Sequence, residues 1–89
     1  MVLDREGREF RTKHDLLSHA LERKALGLLY VQVLVERKRT PRHWDAIRVF
    51  PNLHGRCIGP VTPGRFLVDV RIDDIERAAP SPGNPTEKK

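Results

Sequence analysis

Leu17, Ala20, Leu21, Ala25 and Leu28 recur three or four residues apart, with Leu16 beside them. That spacing places them along one face of a helix. Thr12 stands ahead of the stretch as an N-cap, and Asp15 three residues later completes a capping-box pattern. Arg23 and Lys24 fall in the last turn, where cations suit the helix dipole, and Gly27 is placed to end the helix at C′. The pattern predicts a helix over about 13–26. Ahead of it, residues 2–10 predict a short extended or hairpin segment that turns at Gly7.

The period then falls to two. Leu29, Val31, Val33 and Val35 share one face of an extended segment over 28–38, while Tyr30, Gln32, Leu34 and Glu36 take the other. Thr40-Pro41 breaks it, and 44–50 resumes extended structure with Ile47 and Val49 in alternation. Pro51, Asn52 and Gly55 mark a turn before a short strand at 56–61, and Pro60, Pro63 and Gly64 turn the chain again. Phe66, Val68, Val70 and Ile72 then alternate with Leu67, Asp69, Arg71 and Asp73 as a half-buried strand. The simplest assembly is an α+β fold, one N-terminal helix packed on a three- to four-stranded antiparallel sheet. A small SH3-like β-barrel built from the later strands, with the same N-terminal helix, is the competing arrangement. In the first, Tyr30, Gln32, Arg48, Asp69 and Arg71 lie on a partly solvated face, and an open strand edge is expected around 61–70.

Composition narrows the class. The chain has 89 residues, 38% of them hydrophobic and 33% charged, enough for one small domain with a modest core. Residues 80–89 hold Pro80, Pro82, Gly83, Asn84 and Pro85 and no large apolar side chain, so a folded domain of 1–79 with a disordered tail at 80–89 is expected. No run approaches the roughly 20 apolar residues needed to span a bilayer. Asp4, Arg5, Glu6, Arg8 and Glu9 occupy the place of a secretion signal's apolar region. The single cysteine, Cys57, has no internal disulfide partner, which points to a reducing, cytoplasmic setting.

Charge supplies the functional lead. The formal net charge is +5, with a pI near 10.0. Residues 1–44 carry ten Lys/Arg against six Asp/Glu, whereas 45–79 carry five of each. The excess gathers in Glu36-Arg-Lys-Arg-Thr-Pro-Arg-His-Trp44. As a hairpin tip, this segment would present Arg37, Lys38, Arg39, Arg42 and His43 to a phosphate backbone, with Trp44 available to stack. Arg48 and Arg71 on the mixed sheet face form a secondary surface. A small, basic, non-enzymatic domain that binds DNA or RNA is therefore the leading expectation.

Two other classes compete. A protein-interaction module (a small inhibitor or adaptor with an acidic protein partner, or a homodimer joined through strand edges) would use the marginal core and open edge. A small metal-independent ribonuclease would use His54 or His43 as acid or base, with Arg48, Arg56, Arg65 or Arg71 against the developing charge. The metal reading is poor, because the chain has four histidines and one cysteine but no CxxC pair. No cofactor motif is present, the six glycines being dispersed as turn residues.

Overall fold

The computed structural model describes residues 1–79; the expected tail at 80–89 lies outside them. The elements run β1 (Val2–Leu3), α1 (Lys13–Ala25), β2 (Tyr30–Glu36), β3 (Ile47–Phe50), β4 (Leu53–Thr62), β5 (Arg65–Arg71) and α2 (Ile72–Ala78). The five strands form one antiparallel sheet in the order β1-β2-β5-β4-β3. Register shifts between Cys57 and Gly59, and between Pro60 and Thr62, bend β4. The sheet curls into an open half-barrel, with β1 and β3 at its edges rather than paired as in a closed SH3-like barrel.

Local chemistry accounts for the first third of the chain. The Asp4 carboxylate accepts the backbone N–H groups of Glu6 and Arg8, each at 2.8 Å, and Gly7 turns at φ 93°. Burial pushes the Asp4 carboxyl up, but those two N–H groups and the Arg8 guanidinium outweigh it and hold it below its ordinary value. The hairpin closes with Phe10 N–H donating to the Val2 carbonyl at 2.8 Å. Thr12 then caps α1, with the reciprocal Thr12–Asp15 bonds both at 3.2 Å. At the far end, Gly27 N–H reaches the Lys24 carbonyl and Leu28 N–H the Arg23 carbonyl, the paired bonds of a Schellman motif with Gly27 at φ 87°.

The core lies between the helices and the concave face of the sheet. Leu16, Leu17 and Ala20 of α1, with Ile72 and Ile75 of α2, meet Val31, Val33, Val68 and Val70. Only the first half of the expected helical stripe is used. Leu21 stays 42% exposed and Leu28 44%, because both lie beyond the part of α1 that the core covers. On the opposite face, Gln32, Asp69 and Arg56 line up across β2, β5 and β4. Leu3 and Leu34 pair there as a small buried contact outside the main core.

Four expectations need correction. The described residues form five strands, because the N-terminal hairpin adds β1 to the edge. The described residues form two helices, because the alternating pattern ends at Arg71 and Ile72 begins α2. Asp73 and Asp74 stand in its first turn and Arg77 in its last, while Ile72 and Ile75 face the core at helical spacing. The stretch 61–70 is not an open edge, since β5 lies between β2 and β4. Finally, 37–44 is not a hairpin tip. β2 and β3 are not neighbours, so this segment belongs to a crossover that carries the chain past the ends of β5 and β4.

Cys57 faces the core at 5% exposure. Burial pushes its thiol pKa up, only partly opposed by the Gly59 backbone N–H. A protonated, enclosed thiol is a poor nucleophile. Native protein at mildly alkaline pH is expected to react with DTNB about 10²-fold more slowly than protein unfolded in guanidinium. Equal rates would contradict the placement of this side chain.

Candidate functional site

The crossover is pinned at both ends. At its start, Arg37 N–H donates to the Gly64 carbonyl at 2.8 Å, and the Arg37 guanidinium donates to the Arg48 carbonyl at 3.0 Å. At its foot, Arg65 holds Glu36 at 2.8 Å. At its end, the Trp44 carbonyl accepts Cys57 N–H at 2.6 Å, which lays the chain alongside β4 before β3 begins. The cationic stretch is thus tied to β3, β4 and the β4–β5 turn instead of standing free of the sheet.

Between these ties lies an open groove of about 510 Å³, lined by Arg37, Lys38, Arg39, Thr40, Pro41 and Arg42 from the crossover and by Arg48 from β3. Met1, Val2, Val35 and Val49 contribute apolar lining, and Glu36, the single carboxylate there among the described residues, is engaged by Arg65. Five cationic side chains therefore converge on one concavity. Lys38, Arg39, Arg42 and Arg48 form no ion pair among the described residues. Elsewhere Arg8, Lys24, Arg56, Arg65, Arg71 and Arg77 all have carboxylate partners. Arg5, Arg11, Lys13 and Arg23 also form no ion pair among the described residues, but they do not line this groove.

The groove unites five of the eight expected site residues: Arg37, Lys38, Arg39, Arg42 and Arg48. His43 and Trp44 follow the cationic run but do not line the groove; both are exposed, Trp44 by 40%. Arg71 ends β5 at the opposite end of the sheet from Arg65, opposite Tyr30 and 3.8 Å from Asp73. Sequence reasoning set Arg48 on a secondary surface and did not foresee that the crossover would bring it beside Arg37. Its outward position in the period-two pattern was the available signal.

None of the four histidines lines the groove. His54 pairs across from Arg48 in the β3–β4 ladder and lines a separate cleft with Asn52, Asp74, Arg77 and Ala78, where there is no second histidine. His19 packs its ring against Phe10, with centroids 5.5 Å apart. Asp69 Oδ1 is buried without a hydrogen-bond partner among the described residues, while the neighbouring Arg56 lies 4.0 Å from Asp45. No group of three or more His, Cys, Asp or Glu side chains among the described residues is placed to hold a metal ion. No helix among them is long and apolar enough to cross a membrane.

No protein-family model, curated protein or solved structure matches the chain, so the groove's own chemistry carries the functional reading.

Proposed function

We propose that this is a small nucleic-acid-binding domain that acts without catalysis and holds backbone phosphates in the groove between the crossover and β3. The convergence of Arg37, Lys38, Arg39, Arg42 and Arg48 on one concavity, with its single carboxylate among the described residues already engaged, is the observation that carries this reading. Like charges gathered in this way repel one another, and a polyanion relieves that repulsion. Guanidinium forks match phosphate oxygens in geometry, and each phosphate neutralised releases condensed counterions. Arg37, held by the Arg48 carbonyl, positions the loop, while Lys38, Arg39, Arg42 and Arg48 reach the ligand. A cytoplasmic setting fits the buried, unpaired Cys57.

The test mixes the protein with RNA, single-stranded DNA and double-stranded DNA at low salt and then runs the strands on a denaturing gel. Binding on the order of 1 µM or tighter, with every strand intact, is the expected result. Absence of binding at low salt would overturn the reading. Cleavage would overturn its non-catalytic part and return attention to His43 and His54.

A further inference from the structure

The end of the molecule away from the basic groove carries a different surface. Leu26 is 72% exposed, Leu29 75% and Tyr30 50%, with Leu21 and Leu28 also above two-fifths. They sit where α1 ends, the Schellman turn reverses the chain and β2 begins. Scattered exposed leucines are ordinary on a small domain, but five large apolar side chains gathered at one turn are not. Beside them opens a cleft of about 600 Å³ to which Glu22, Arg23, Leu28, Leu29, Tyr30 and Gln32 contribute. Leu28, Leu29 and Tyr30 form one apolar side of this cleft and the rest of its lining is polar or charged, so the exposed apolar patch is bordered by charges of both signs.

We infer that this face is a contact between two copies of the chain, related by a twofold axis, with Leu26 and Leu29 of each copy packed against the apolar patch of the other. A twofold contact requires a patch that complements itself, and an apolar patch bordered by carboxylates and guanidiniums meets that requirement. Charge selects the same occupant. Four carboxylates face three guanidiniums around the cleft, a near balance in a chain whose net charge is +5. Here a second copy approaches without the repulsion it meets at the basic groove, whereas a nucleic acid gains no cationic attraction. Nor do residues 80–89 suit this face, since they contain no large apolar side chain. β2 separates the two surfaces, the patch at its Tyr30 end and the groove at its Glu36 end, roughly 20 Å apart by strand rise. Pairing through the patch therefore leaves both grooves open.

Sedimentation equilibrium of the full chain, freed of nucleic acid and run from about 1 to 100 µM, tests the inference. The expected result is a concentration-dependent rise from 10.3 kDa toward twice that mass. Raising sodium chloride should leave the association unchanged or strengthen it, because apolar burial drives it and salt screens the overall positive charge. Leu26→Glu with Leu29→Glu should weaken association by at least about 10²-fold, since both contacts are lost twice across the axis. Both positions lie outside the core, so the circular dichroism spectrum and Tm should hold, and Leu26→Met with Leu29→Met should still associate. A monomer throughout the range, or association unaffected by the glutamates, would overturn it. Salt-weakened association would also overturn it, by identifying bridging polyanion as the cause.

Discussion

Gly55→Val is expected to unfold most of the domain at room temperature or to lower its Tm by roughly 15 °C or more. Gly55 is a buried residue of β4 on the core face, opposite Ile47 of β3. A Cβ built there meets the Asp69 carbonyl and Val68 Cγ1 at 2.6 Å and Val70 Cγ2 at 3.0 Å. The first of these is backbone, so rotamer changes cannot relieve the contact. β4 would have to move away from β5 and break the ladder on which the curl of the sheet depends. Overpacking of this kind costs about 1–3 kcal/mol when side chains alone yield, and more when backbone must shift. For a domain of this size, whose total stability is on the order of 5–10 kcal/mol, that is a large fraction. Gly59→Ala in the same strand is the control. Nothing lies within 4 Å of a Cβ at that position, and its Tm should change by only a few degrees. Thermal unfolding followed by circular dichroism distinguishes the two. Equal effects would show that the close approach of β4 to β5 is not what Gly55 permits.

Replacing Lys38, Arg39, Arg42 and Arg48 with serine is expected to reduce nucleic-acid affinity roughly 10²- to 10³-fold at 0.1 M salt. These four cations line the groove without a carboxylate partner among the described residues, so their loss removes ligand contacts without leaving a buried acid unpaired. Arg37 is retained because its bond to the Arg48 carbonyl helps hold the crossover in place. That bond is to backbone, so Arg48→Ser leaves it available. A matched variant, Arg8→Ser, Arg56→Ser, Arg71→Ser and Arg77→Ser, loses the same four charges from ion-paired surface positions away from the groove. Its affinity should fall much less, through the weakened long-range field alone. Comparable losses in the two variants would mean that binding is diffuse and that the groove has no special part in it. The comparison also tests Arg71, which its place on the mixed sheet face nominated and which the sheet sets at the far end of β5.

What the sequence revealed follows the range of the interactions involved. α1 was legible from Thr12 to Gly27 because capping box, helical period and Schellman glycine all act within a few residues. β2 and β5 were legible because seven-residue alternation has one good reading, and their register keeps Val31, Val33 and Val35 beside Val70, Val68 and Phe66. α2 was hidden by Ile72, which continues the alternation of β5 while opening the helical spacing to Ile75. Strand order was not legible at all. Nothing between Glu36 and Ile47 says that β5 will take the place beside β2, so a crossover looked like a hairpin. The basic site shows the same division. Arg37, Lys38, Arg39 and Arg42 stand close enough in sequence to be read together, but Arg48 joins them only through the long-range path of the chain. His43 and Trp44 were included by adjacency, which the turn before β3 does not respect. The apolar surface at Leu21, Leu26, Leu28 and Leu29 was obscured because some of these residues continue the helical stripe, while the core ends at Ala20.

The most direct measurement of the central claim is a salt titration of binding by the wild-type chain, the groove variant and the matched surface variant on one oligonucleotide. On a plot of log affinity against log salt, the wild type should fall steeply. The groove variant should be shallower by about three to four units, one for each lost cation–phosphate contact, and the surface variant should stay nearly parallel to the wild type. A groove variant whose slope equals that of the wild type would contradict the account, because the phosphates would then be held elsewhere.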